Sequence, residues 1–159
     1  MKNLILFISA LFLATAFLAC EKDDTSPSFP DEFDAIPTDR YSSTDPFAGV
    51  DVYGTWEVAS TFGGFAGQGY SPNFDLLLLK ANGIFGLVRN DSLIANGELR
   101  RAPNEWAEDR VLFLAEEQPD EFIELLFDNE KELLVAPDTI HFRSFCCDRF
   151  DTILTRVAP

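Results

Sequence analysis

The sequence predicts an all-β protein, an antiparallel up-and-down meander of about eight strands that closes into a barrel. From residue 50 onward, short apolar runs alternate with turn-forming clusters such as Asn90-Asp91 and Pro137-Asp138, and no stretch has the pattern of a long helix. The runs are similar in length and evenly spaced, which is typical of consecutive hairpins. An open sheet of this many strands would leave unpaired edges, whereas a barrel has none.

The chain has 159 residues, and its composition divides it into three segments. We expect residues 1–19 to be a signal peptide, residues 20–49 a lipidated cysteine with a disordered tether, and residues 50–158 the barrel domain. The last segment has the size of one domain with one hydrophobic core.

The N-terminus combines a basic residue, Lys2, with an apolar run over residues 4–18. As a helix this run would be about 22 Å long, too short for a ~30 Å hydrocarbon core, so it is interpreted as a signal peptide. The run ends in Phe17-Leu18-Ala19-Cys20, which resembles the lipobox of bacterial lipoproteins. The resemblance implies that Cys20 is diacylated, becomes the mature N-terminus and anchors the protein in a membrane. An ordinary secretory signal with an incidental cysteine is the alternative.

A charged segment follows this cysteine, in which Lys22 precedes Asp23 and Asp24. It resembles the export signal that directs Bacteroidetes lipoproteins to the outer face of the outer membrane, and so implies a lipid-anchored protein at the cell surface. The alternative is the charged start of a solvated tether. Residues 25–46 are rich in Pro, Ser, Thr and Asp, which predicts an extended tether. Its scattered apolar residues, Phe33 among them, pack on the domain, pack on a partner or have no role.

The apolar runs of the domain define the candidate strands. In chain order they are residues 55–61, 74–80, 84–89, 92–100, 110–115, 122–127, 132–135, 139–143 and 150–157. In residues 139–143 the apolar side chains, Ile140 and Phe142, alternate with polar ones, so one face is buried. Residues 76–79 are all Leu, which predicts a strand that is covered on both faces or that lines a cavity on one of them.

Two short motifs carry a family resemblance. Gly54-Thr55-Trp56 resembles the Gly-x-Trp motif of lipocalins, and Arg156 resembles the basic residue that covers this Trp at the closed end of their barrel. With the glycine loop and the Cys146-Cys147 pair, residues 50–158 are similar to the small lipocalin-like lipoproteins of Bacteroidetes. The resemblance implies a lipocalin-like barrel with a structural latch between Trp56 and Arg156. The alternative is that Trp56 is one core aromatic among many.

A glycine-rich segment separates the first two candidate strands. Its members Gly63, Gly64, Phe65, Gly67 and Gly69 are a candidate ligand-mouth loop, either a lid over a cavity or a passive hairpin loop. No Lys-Ser or Lys-Thr pair follows, so the segment does not have the pattern of a phosphate-binding loop.

The cysteines and the single histidine give no pattern of catalysis. In an oxidising envelope Cys146 and Cys147 form a vicinal disulfide or remain two thiols with a structural role. A metal site with His141 and Asp148 is disfavoured because adjacent cysteines rarely offer tetrahedral geometry. His141 lies on the polar side of its strand and has no recognisable nucleophile motif. We therefore expect no catalytic residue, no metal, no cofactor and no enzymatic activity.

The net charge of the chain limits the classes of partner that it is expected to bind. With a net charge of -15, binding to nucleic acid is not expected, because such binding needs clustered Lys and Arg. The expected partners are a membrane, through the lipid anchor, and a small apolar or amphipathic ligand. The sequence favours a surface lipoprotein that binds such a ligand, and the alternative is a non-enzymatic interaction or accessory envelope module with a filled barrel. A cavity would favour the first, and a filled core with an exposed apolar patch the second.

Overall fold

The computed structural model describes residues 31–37, 41, 44–63, 72–146 and 149–158. Eight antiparallel strands form a closed barrel, in which each strand pairs with the next and the last with the first. The strands are β1 (Gly54–Gly63), β2 (Leu76–Leu79), β3 (Ile84–Arg89), β4 (Ser92–Arg101), β5 (Arg110–Ala115), β6 (Glu130–Ala136), β7 (Thr139–Arg143) and β8 (Phe150–Arg156). The predicted meander and its closure into a barrel are confirmed.

One candidate strand is wrong. The apolar run at residues 122–127 contains a short helix, α2 (Glu124–Phe127), in which Leu126 and Phe127 donate backbone hydrogen bonds to the carbonyl of Ile123. The run is too short for its periodicity to distinguish a strand from a helical turn. Removing it leaves an even number of strands, which allows β1 and β8 to pair antiparallel.

The barrel has two distinct ends. β1 begins beside the end of β8, where Trp56 is the register partner of Arg156, and we call this the Trp56 end. At the other end, the loop end, Gly63 is the register partner of Phe150. The loop end carries the β1–β2, β3–β4, β5–β6 and β7–β8 connections, because consecutive strands run in opposite directions.

The interior of the barrel is packed with large apolar side chains. Phe113 lies at its centre, with its ring centroid 5.2 Å from that of Phe85 and 5.0 Å from that of Phe142, in edge-to-face contacts. Trp56, Leu77 and other inward-facing residues of the strands complete the same buried cluster. The alternation of the strands therefore builds one continuous core.

A second apolar cluster lies outside the wall and involves the predicted tether. A one-turn helix, α1 (Asp31–Asp34), places Phe33 on the outer face of β2 and β3, where 1% of its surface is exposed. Gly86 makes room for the ring, since a Cβ there would lie 2.6 Å from Phe33 Cδ2. Lys80 Nζ donates to the Phe33 carbonyl at 2.9 Å and lies 4.3 Å from the ring centroid. Residues 31–34 thus differ from the expected solvated tether, because β2 and β3 present apolar side chains on their outer face as well.

Candidate functional site

The two residues of the predicted latch are in contact. Trp56 is fully buried, and its Nε1 donates to the carbonyl of Val52 at 2.8 Å. The guanidinium carbon of Arg156 lies 4.2 Å from the Trp56 ring centroid. Gly54 has φ +134°, and a Cβ there would lie 3.2 Å from Arg156 Nη1. The motif glycine therefore serves both the backbone conformation and the approach of the arginine.

Several predicted site residues lie outside the described part of the chain. They are Cys20, Lys22, Asp23, Asp24, Gly64, Phe65, Gly67, Gly69 and Cys147. Gly63 is described and lies at the loop end with φ +112°, where a side chain would collide with the carbonyl oxygen of Arg149. Cys146 is exposed. Lipidation, surface export, the mouth loop and the pairing of the two cysteines stay predictions.

His141 lies half-buried on the outer face of the barrel. Its Nε2 is 3.5 Å from Asp151 Oδ2, and its ring centroid is 6.0 Å from that of Phe62. Within the described ranges, no group of three His, Cys, Asp or Glu side chains is arranged to hold a metal. No described helix is long and apolar enough to cross a membrane.

The loop end of the barrel is plugged. Phe74, Ile123 and Leu125 are buried there and belong to the main core cluster. Asn73, which precedes β2, donates from its backbone N–H to Glu124 Oε2 at 3.0 Å and from Nδ2 to the Phe122 carbonyl at 2.8 Å. These bonds tie the entry to β2 onto α2, so both segments cover the end of the barrel together.

Phenylalanine side chains are exposed at this plugged end. Phe122 is 43% and Phe127 60% exposed, with ring centroids 4.9 Å apart, and the Phe150 ring lies 5.8 Å from that of Phe122. Phe145, on the adjoining β7–β8 connection, is 50% exposed. We call Phe122, Phe127, Phe145 and Phe150 the aromatic patch. A strand over residues 122–127 does not predict this patch, because the rings of Phe122 and Phe127 meet only when the segment forms a helical turn.

Polar groups are buried inside the barrel near the loop end. Lys131 is fully buried, and its Nζ donates to Ser144 Oγ at 2.9 Å and to the Phe150 carbonyl at 3.1 Å. Burial lowers the pKa of Lys131 to about 8, although Asp128 and Asp151 favour its charged form. The hydroxyls of Thr61 and Thr152, register partners on β1 and β8, are buried without a hydrogen-bond partner among the described residues. Lys131 lies two residues before Leu133 in β6, so the two side chains point to the same face of the strand. This alternation could have predicted from the sequence that Lys131 lies inside the barrel.

A groove of about 440 Å³ lies beside the first residues of β4. It is lined by Leu93, Ile94, Ala95, Asn96, Glu116, Glu117, Gln118, Pro119 and Asp120. The groove thus separates the start of β4 from the chain that leaves β5.

Comparisons with known proteins do not assign the chain to a family. No protein-family model, curated protein or solved structure matches it.

Proposed function

We propose that this chain is a lipid-anchored, non-enzymatic interaction module of the cell envelope, which acts through the exterior of a filled barrel. The observation that carries the proposal is the combination of a packed and plugged interior with an exposed aromatic patch at the plugged end. The envelope location rests on the lipobox resemblance at Cys20 and on the Lys22, Asp23 and Asp24 segment.

The packing of the interior supports an exterior function. The Phe113 ring contacts those of Phe85 and Phe142 across the middle of the barrel, and Ile123 and Leu125 cover its loop end. A ligand entering from that end would have to displace well-packed side chains, and lost core packing of a large side chain costs about 3 to 5 kcal/mol. A small apolar ligand in the barrel centre is therefore disfavoured.

The aromatic patch supplies a surface of the kind that binds partners. Phe122 and Phe127 are in ring contact yet expose 43% and 60% of their surfaces. Clustered exposed aromatics mark interaction sites more often than isolated ones do, and aromatic side chains dominate the energetics of protein interfaces. Because the chain carries a net charge of -15, we propose a protein partner with an apolar surface and not an anionic membrane.

Site-specific photo-crosslinking in intact cells tests this proposal. A photoreactive residue at position 127 should give one discrete protein adduct, whereas the same residue at position 106 is the matched control. Trp106 is 85% exposed but lies on the β4–β5 connection at the Trp56 end. Phe122→Ser should abolish the adduct at position 127 without unfolding the barrel, because Phe122 is 43% exposed and lies outside the main core cluster. Equal adducts at both positions, or none at position 127, would contradict the proposal.

Binding of a small amphipathic anion is the second candidate function, and the buried polar groups favour it. Lys131 and the hydroxyls of Thr61 and Thr152 point into the barrel, where an acidic head group would receive hydrogen bonds. Native mass spectrometry of protein purified gently from its own membrane distinguishes the two functions. A small molecule retained by the wild type and lost in Lys131→Met would support this candidate and contradict the filled barrel.

A further inference from the structure

β4 continues beyond its partner β5 at the loop end. The two strands pair from Arg101 to Gly97, which is the register partner of Ala115, and the Glu116 amide still donates to the Asn96 carbonyl at 2.9 Å. Residues 92–95 lie past this point, and among the described residues they pair only with β3, opposite residues 87–89. On the β5 side, the start of β4 is therefore a sheet edge within the barrel wall.

The sequence explains why the strands part here. Gly97 allows a close approach, since a Cβ there would collide with the Leu114 carbonyl, so β5 crosses tightly at this position. In the chain that leaves β5, Pro119 has no amide hydrogen and cannot continue the ladder with β4. On the other side, the β3–β4 register shifts between Leu87 and Val88, which leaves Ile94 as an extra residue in β4.

The groove at this edge has the size and lining for an extended peptide. Its volume is about 440 Å³, and Leu93, Ile94 and Ala95 line its β4 side. A smaller groove of about 190 Å³ continues from Ile94 and Asp120 to Ile123. Glu117 and Asp120 stand on the opposite side, and both are exposed and make no ion pair with any described residue. The edge thus combines strand backbone, apolar side chains and negative charge.

We infer that this groove is a strand-addition site for an extended peptide that carries basic side chains. The peptide backbone would pair with residues 93–95, its apolar side chains would contact Leu93 and Ile94, and its Lys or Arg would lie near Glu117 and Asp120. The opposite charges would speed association and favour basic over acidic sequences. This site shares no residue with the aromatic patch, so a test of the site does not depend on the proposed function.

Peptide binding to the mature chain tests the inference. The probe is a fluorescent hexapeptide of alternating Lys and Val, compared by anisotropy with a Glu-Val analogue and with an analogue N-methylated at alternate residues. We expect saturable binding of the Lys-Val peptide that weakens as salt increases. The acidic and N-methylated analogues should bind at least about tenfold more weakly, since one loses the charge pairing and the other the backbone hydrogen bonds.

Two charge-reversal variants provide the matched comparison. Glu117→Lys with Asp120→Lys should weaken binding of the Lys-Val peptide by about tenfold. Glu105→Lys with Glu108→Lys changes the net charge equally on the exposed β4–β5 connection and should alter binding by less than about twofold. Equal losses of peptide affinity in both variants would show that binding depends on net charge alone, which would overturn the inference.

Hydrogen exchange on the same samples decides which backbone is engaged. The peptide should slow exchange of the Ile94 amide, because Ile94 has no register partner in β3, and it should leave the amides of β7 unchanged. Slow exchange of the Ile94 amide without the peptide would mean that a segment of the chain itself occupies the edge, which would overturn the inference. Tight binding of the N-methylated analogue would also overturn it, because strand addition needs the amide hydrogens.

Discussion

The guanidinium of Arg156 lies 4.2 Å from the ring centroid of Trp56, and this contact joins the last residue of β8 to the start of β1. The same guanidinium donates to the carbonyls of Tyr53 and Asp51, each at 2.9 Å, and pairs with the Asp51 carboxylate at 3.0 Å. Arg156 therefore holds the entry segment, the first strand and the last strand together at one end.

Replacing the buried tryptophan should destabilise the barrel strongly. Trp56 is fully buried, so Trp56→Ala should lower the free energy of unfolding by about 3 to 5 kcal/mol through lost burial and a residual cavity. Urea denaturation followed by circular dichroism measures the change. The exposed Trp106→Ala is the control, and it should change the stability by less than about 0.5 kcal/mol.

A double-mutant cycle isolates the stacking contact itself. Trp56→Leu and Arg156→Met, alone and combined, should give a coupling energy of about 0.5 to 2 kcal/mol, the range for a cation–π pair that is partly desolvated. Additive effects would mean that the two side chains stabilise the barrel separately and that no latch exists.

The buried lysine predicts a pH-dependent stability. The folded-state pKa of Lys131 is lowered to about 8, so at pH 7 the folded protein holds a charge that is better solvated in the unfolded chain. Between that value and the ordinary Lys pKa of about 10.4, the unfolded chain binds more protons, and this group makes stability rise with pH. The destabilisation of the folded protein by the buried Lys131 charge is thus fully present below pH 8 and decreases above it.

Lys131→Met should remove this dependence while it keeps the volume of the side chain. At pH 7 we expect the variant to be at least as stable as the wild type. The free energy of unfolding of the variant minus that of the wild type should fall by up to about 3 kcal/mol as the pH rises from 7 to 10. Denaturant unfolding of both proteins at a series of pH values measures it. A difference that does not change with pH would show that the Lys131 pKa is not lowered in the folded protein.

The packing of Phe33 predicts that part of the N-terminal segment is held on the wall. Phe33→Ala should increase hydrogen exchange in residues 31–37 and expose the outer apolar face of β2 and β3 to a hydrophobic dye. Gly86→Ala should act in the same direction from the strand side, because the new Cβ would overlap the ring. Phe33→Leu is the conservative control and should keep most of the protection. Unchanged exchange in Phe33→Ala would contradict the packing.

Lipidation and surface exposure are testable in cells. A labelled fatty acid should be incorporated into the wild type, and label that persists in Cys20→Ser would contradict acylation at this residue. Protease added to intact cells should remove the wild-type protein. Replacing Lys22, Asp23 and Asp24 by Ala should protect it, and protection of the wild type would place the protein in the periplasm instead.

The sequence by itself determined the eight strands of the barrel, their order and the closing pair, although it also predicted a ninth strand at residues 122–127. Turn residues separate runs with a strand periodicity, and an even number of strands in a meander brings the start of the first beside the end of the last. For this reason the contact between Trp56 and Arg156 could be predicted. The uniform Leu run of β2 likewise indicated that both of its faces would be covered.

The tertiary structure alone decided what fills the barrel and what covers its wall. The run at residues 122–127 fits a strand or a helical turn equally well, and the need to plug the loop end selects the helix. Phe33 lies in a segment with the composition of a tether, and only the apolar outer face of β2 and β3 holds it there. Periodicity is local, whereas burial depends on which distant surfaces remain uncovered once the barrel has closed.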